Sequence, residues 1–177
     1  QETTCSKWSW DDILPEKIQK EWNEWLKEIF LVKKCVRIPR HLHMDSATNV
    51  QMHVFCDSST EIFAALAYLR VEIPRGERDE KEVVISLLDG KARVTPPKSE
   101  SVSRNELNAC VMGVRLGQQK ARGLDIDPLT VQYWTDSKNC LFWINTPSHI
   151  AKTYVANRVR EIQASSDLKL WRHVPTK

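Results

Sequence analysis

No stretch of this sequence approaches the roughly 20 consecutive apolar residues that a membrane-spanning helix needs, so no part of it is expected to enter a bilayer. The opening residues, Gln1-Glu2-Thr3-Thr4-Cys5, carry neither the basic start nor the apolar stretch of a secretory signal. An initiator methionine is missing too, and the chain reads as a piece of something longer. The five cysteines are odd in number and widely spaced, with no C-x-x-C pair, which excludes both a zinc finger and a disulfide framework. Cys56, Cys110 and Cys140 fall inside apolar patterns, where a reduced thiol acts as a small hydrophobe, and a reducing intracellular compartment suits them. His41 and His43 are close together but have no further ligands to join them in a metal site. A net charge of only +3 argues against binding nucleic acid by charge alone, while leaving room for a local basic groove. Internal repeats and low-complexity tracts are absent.

What is present divides into two parts, an N-terminal segment (1–45) and a main domain (46–177). In the first, Trp8 and Trp10 precede Asp11-Asp12, and Pro15 opens a helix at a favoured position. Ile18, Trp22, Trp25 and Ile29 recur there at helical spacing, giving a face to pack on the main domain or on a preceding one. Val36 to Arg40 reads as extended, because Pro39 disfavours helix before it.

In the second part, Met52, Val54 and Cys56 alternate with His53, Phe55 and Asp57, suggesting a strand buried on both faces. Phe63–Val71 and Glu82–Leu88 supply two more strands of an antiparallel meander, with charged turn chemistry at 74–79 and a second turn at Asp89-Gly90. An irregular connection over 91–101, containing Pro96-Pro97, leads to a helix from Ser103 to Gln119, with Leu107, Cys110, Val111, Val114 and Gln118 inward and Gly123 beyond its end. A strand at 131–135, a short helix holding Leu141, Phe142 and Ile144, a helix at 151–163 and a strand at 168–174 complete the order β-β-β-α-β-α-α-β. That order predicts an α/β fold: a mixed five-stranded sheet with flanking helices, in which the first and fourth strands are parallel neighbours joined by a right-handed crossover.

Three acidic residues occupy related places in this scheme. Asp57 closes the first strand, Asp136 ends the fourth, and Glu106 lies in the first turn of the crossover helix. All three are therefore expected at one edge of the sheet, the arrangement a divalent-metal nuclease needs. Each has a plainer reading as well. Ser103-x-x-Glu106 spells a capping box, Asp136 can cap the following helix, and Asp57 can be a turn residue. Their joint occurrence in one topology favours the metal site. An aspartic protease is excluded, since no glycine follows Asp57-Ser58.

The phrases His53-Val54-Phe55-Cys56-Asp57-Ser58-Ser59, Ser103-Arg104-Asn105-Glu106-Leu107, Tyr133-Trp134-Thr135-Asp136-Ser137, Tyr154-Val155-Ala156-Asn157-Arg158-Val159 and Trp171-Arg172-His173-Val174-Pro175 closely resemble the ribonuclease H domain of BEL/Pao-type LTR retrotransposon polyproteins. Ala92-Arg93-Val94-Thr95-Pro96 matches the same family, and the N-terminal segment resembles the piece connecting reverse transcriptase to ribonuclease H. The resemblance implies a ribonuclease H-like fold and an endonuclease that cuts the RNA strand of RNA–DNA hybrids during reverse transcription. It implies two Mg²⁺ ions, for which Mn²⁺ can substitute, held by Asp57, Glu106 and Asp136. It also implies the reverse transcriptase domain of the same polyprotein as a partner and a cytoplasmic virus-like particle as the location. The family's fourth acidic residue falls beyond Lys177, so the domain is expected to be truncated at its C-terminus.

Hydroxyl and amide groups near the acids, on Ser58, Ser59, Asn105, Ser137 and Asn139, are candidates to recognise 2′-hydroxyls in the wide minor groove. Lys138, Lys152, Arg158, Arg160 and Arg172 are candidates for phosphate contacts. His173, following the last strand, is a candidate auxiliary residue. The alternative to an active enzyme is a catalytically inactive copy of the fold, kept as a nucleic-acid or protein-binding module.

Overall fold

The computed structural model describes residues 9, 11–75, 80–95 and 101–175. Trp8, Trp10, Cys5, most of the charged turn at 74–79 and the Pro96-Pro97 connection lie outside the described residues. The chain divides into two compact units, Gln1–Arg40 and His41–Lys177.

In the first unit, helix α1 (Glu16–Cys35) begins directly after Pro15. Glu16 in its first turn and Lys33 and Lys34 in its last complement the helix dipole. The Trp22 and Trp25 rings meet with centroids 4.8 Å apart.

The second unit is built on one five-stranded sheet of order β3-β2-β1-β4-β5. Strands β1 (Asn49–Ser58), β2 (Ile62–Pro74) and β3 (Lys81–Val94) form the antiparallel meander. Helix α2 (Val102–Gly123) carries the chain across the sheet to β4 (Gln132–Thr135), which pairs parallel with β1. Helices α3 (Lys138–Asn145) and α4 (Thr153–Ser165) then lead to β5 (Trp171–His173), parallel to β4.

The core forms where α2 meets the sheet. Met52, Val54 and Cys56 of β1 and Ala65, Ala67, Leu69 and Val71 of β2 are buried, together with Leu107, Cys110, Val114 and Leu116 of α2. Two glycines on one face of α2 allow the close approach. A Cβ on Gly113 would collide with the Cys56 sulfur, and one on Gly117 would stand 2.8 Å from the Tyr133 hydroxyl.

Two local expectations are corrected. Asp89-Gly90 is not a turn: both residues lie inside β3, paired with Ala67 and Leu66. The ladder slips between Ala67 and Tyr68, leaving Leu88 as the extra residue of a bulge, so β3 bends and continues to Val94. A Cβ at Gly90 would lie 2.7 Å from Leu66 Cδ2, the mobile tip of an exposed side chain that can move aside. Nor is β1 buried on both faces. Its α2-facing residues are buried, whereas Phe55 on the opposite face is 39% exposed.

Candidate active site

The backbone brings the two aspartates together first. Cys56 of β1 is the registered partner of Thr135 of β4 in a parallel pair. Asp57 and Asp136 are therefore the next residues on adjacent strands, at the same edge of the sheet. The Asp57 carboxylate accepts from the Ser58 amide at 2.7 Å.

The third acid arrives from the helix layer. Glu106, half-buried in the first turns of α2, accepts a hydrogen bond from Ser137 Oγ at 2.6 Å, one residue past Asp136. The same hydroxyl accepts from the Cys140 amide at 3.2 Å and so caps α3. Two further bonds join the first turns of α2 and α3. Asn139 Nδ2 donates to Ser103 Oγ at 3.3 Å, and Cys140 Sγ donates to the Ser103 carbonyl at 3.9 Å. Beyond the strand end, His173 Nε2 lies 3.1 Å from the Asp136 carbonyl. That carbonyl can only accept, so Nε2 carries the proton.

Both capping alternatives fall away in this geometry. The residue before α2 is Ser101, which makes no side-chain cap bond, and Ser103 already sits inside the helix. The cap of α3 is Ser137, not Asp136. Asp57 is a strand residue rather than a turn residue.

The layer beneath the acids is apolar and sulfur-rich. Cys56, Cys110 and Cys140 are all buried. A hydrogen bond with Cys110, together with burial, holds the Cys140 thiol far above the ordinary thiol range. Cys110 and Cys140, both raised, are inert packing atoms at neutral pH.

The carboxylates bring no countercharge with them. Among the described residues, none of the three forms an ion pair. Nor does any group of three or more His, Cys, Asp and Glu side chains, among the described residues, stand ready to hold a metal ion. The fold thus places three hard oxygen donors at one edge, but Asp57 and Glu106 are turned to neutral donors on Ser58 and Ser137.

The expected substrate-contacting residues separate by burial. Ser59, Asn139 and Arg172 are exposed, whereas Ser58, half-buried as a residue, has its hydroxyl oxygen buried. Asn105 is only 1% exposed and Ser137 only 6%, so neither can reach a bound duplex directly. Ser137 serves the site instead by holding Glu106 and capping α3. One network escaped the sequence reading. Arg158 Nε donates to Asn108 Oδ1 at 2.6 Å, and its guanidinium lies 3.4 Å from the centre of the Tyr154 ring. Arg104 packs 4.7 Å from the same ring. The four-residue spacing of Tyr154 and Arg158 was the available signal.

Among the described residues no helix is long and apolar enough to cross a membrane. No curated protein matches the chain. Ribonuclease H1 of the halophilic archaeon Halobacterium salinarum NRC-1 matches in structure at 14% identity and a TM-score of 0.38, over 71% of this chain and 86% of that one. The PPX-GPPA enzyme of Aquifex aeolicus matches at 9% identity and a TM-score of 0.31, over 67% of this chain and 35% of that one. Both are remote. Residues 1–137 match the Pao retrotransposon-like RNaseH-like domain, and the chain belongs to that family.

Proposed function

We propose that this domain is a divalent-metal endonuclease that cuts the RNA strand of RNA–DNA hybrids during reverse transcription of a retrotransposon. The observation that carries the reading is the registered parallel pair Cys56–Thr135, which makes Asp57 and Asp136 neighbours, with Glu106 tied to the next residue, Ser137.

Three carboxylates suit Mg²⁺, which prefers oxygen ligands and is held by a few acids plus water and substrate phosphate. Asp57, Glu106 and Asp136 would hold two such ions, or Mn²⁺ in their place. Bound there, the ions supply Lewis acidity to the phosphodiester and offset the charge that develops on it. Asp57, on the central strand, is the residue best placed to serve both. Glu106 can hold its ion through Oε1 while Ser137 keeps its bond to Oε2. The chain's own groups do the positioning: Ser59 and Asn139 face the sugar edge of the minor groove, and Arg172 a backbone phosphate. The proton that His173 shares with the Asp136 carbonyl holds that turn in place beside the substrate.

The reading extends to two further parts: the reverse transcriptase domain of the same polyprotein as partner, and a cytoplasmic virus-like particle as the setting. One observation favours the rival reading, an inactive module kept for binding. It is the failure of the three carboxylates to form a ready ligand set.

Incubation of the chain with an end-labelled RNA–DNA hybrid and Mg²⁺ or Mn²⁺ decides between them. The RNA strand should be cut, and Asp57→Asn should abolish the cutting. A hybrid that is bound but never cut selects the inactive module. Cutting that survives Asp57→Asn rejects the assigned site.

A further inference from the structure

None of the 20 residues of helix α1 is buried. Helices of this length are marginal in water by themselves, and most helical stability in proteins comes from covering an apolar face. Such a face exists on α1. Ile18, Trp22, Trp25, Ile29 and Val32 follow one another at intervals of four, three, four and three residues. Their mean repeat of about 3.5 residues is the spacing by which two helices wind around each other. With Ile18, Trp25 and Val32 at d and Trp22 and Ile29 at a, the same frame puts Lys20, Lys27 and Lys34 at f, directly opposite the seam. Trp22 and Trp25 remain 55% and 47% exposed even though their rings touch. Phe30 and Leu31 stand off the seam, but Asn23 and Glu24 hold the same two places one heptad earlier, so no second stripe forms.

The flanks of the seam specify what covers it. Glu21 and Glu28 fall at g, and Gln19, Leu26 and Lys33 at e. In two parallel helices in register, each g residue faces the e residue five positions on in the other helix. Glu28 then meets Lys33 of the second helix, once on each side of the seam. Among the described residues, neither Glu28 nor Lys33 forms an ion pair within its own chain. Glu21 meets Leu26, which widens the apolar seam, and its charge is answered on its own helix by Lys17 at 3.8 Å. Antiparallel helices set g against g, and Glu21 would confront Glu28. The charges of α1 therefore complement a second α1 only in the parallel sense.

We propose that α1 pairs with α1 of a second copy of this chain, as a parallel coiled coil in register. The proposal stands apart from the nuclease reading, because the heptads lie in the first unit and the three acids in the second.

Sedimentation equilibrium of the full chain tests it, over a wide range of concentration and in reducing buffer, so that the exposed Cys35 forms no bridge. The mass should climb toward twice that of one chain. Trp25→Lys should hold it at the mass of one chain. Lys33→Glu sets glutamate against glutamate on both sides of the seam and should weaken self-association about tenfold. Glu28→Lys should do the same, and Glu28→Lys combined with Lys33→Glu should restore the association. Positions 28 and 33 are five apart and do not meet on one helix, so that rescue has to come from across the seam. The exposed sheet face around Phe55 and Ile85 is the rival contact, and Ile85→Lys should leave the mass as it is. Circular dichroism confirms that each variant is folded. A chain that stays monomeric throughout, that associates despite Trp25→Lys, or that comes apart on Ile85→Lys overturns the coiled coil. Association strengthened by Glu28→Lys means antiparallel helices and overturns it as well.

Discussion

Ser137 Oγ and the Glu106 carboxylate are joined at 2.6 Å, and this bond locks the start of the crossover helix to the turn that follows Asp136. A glutamine at 106 can still accept from Ser137, since its amide oxygen occupies the same place. Glu106→Gln should therefore keep urea stability within about 0.5 kcal/mol, the range of changes that break nothing. It should lower cleavage by roughly 100-fold or more, exceeding the cost of disturbing an outer-shell partner. Ser137→Ala should do the opposite. It removes the cap of α3 and the partner of Glu106, and should cost about 1–2 kcal/mol. Equal losses of cleavage in the two variants would make Glu106 a structural residue.

Metal binding should be visible without any substrate. An ion that binds only the folded chain stabilises it, by about 2.7 kcal/mol at one hundred times its dissociation constant. Differential scanning calorimetry in rising Mg²⁺ should show the melting temperature climbing, and EDTA should reverse the climb. In Asp57→Asn the climb should flatten. A melting temperature indifferent to Mg²⁺ and Mn²⁺ would favour the inactive module.

Gly113 and Cys56 set the distance between helix and sheet. A methyl group at 113 would strike the Cys56 sulfur and lie 3.3 Å from Val54 Cγ1. Gly113→Ala should destabilise by about 1–3 kcal/mol despite the helix propensity that alanine adds. Adding Cys56→Ala removes the obstructing sulfur and should recover part of the loss. A double variant no more stable than the single one would mean that the strain lies elsewhere.

His53 should make stability depend on pH. Burial, then the nearby Arg70 guanidinium, holds its imidazole below the ordinary value of 6.5. Its Nδ1 accepts from Trp134 Nε1 at 3.1 Å, which needs that nitrogen unprotonated. As pH falls through 6.5 the unfolded chain takes up a proton that the folded chain refuses, so stability is full above 6.5 and drains below it. Glu72, Asp89 and Glu161, each held low chiefly by a hydrogen bond from Arg70, Lys120 and Arg115 respectively, lose their contributions only further down. The urea midpoint should fall between about pH 7.5 and pH 5.5, and the fall should shrink in His53→Gln. An identical fall in that variant would exclude His53 as its source.

The topology was legible because its signals are long and redundant. Alternation in β1, the helical stripe of α2 and the right-handed crossover leave few other ways to connect five strands. What the sequence hid was local or rotational. Asp89-Gly90 carries turn chemistry, yet the strand runs through it, because the Leu88 bulge absorbs the irregularity. The Ser103-x-x-Glu106 box was misleading because α2 starts a residue earlier, after Ser101. That Glu106 turns to Ser137 depends on a rotamer, and so does the meeting of Arg104 and Arg158 at one tyrosine. Spacing alone shows neither.

Trp134 and His53, bonded across the β1–β4 seam, stand 81 positions apart in the chain. The acids at the head of that seam become neighbours only after β1, the crossover helix and β4 have all been synthesised and the two strands have paired. A chain halted or broken before β4 would hold Asp57 and Glu106 with no Asp136 beside them, so the cluster exists only in the closed sheet.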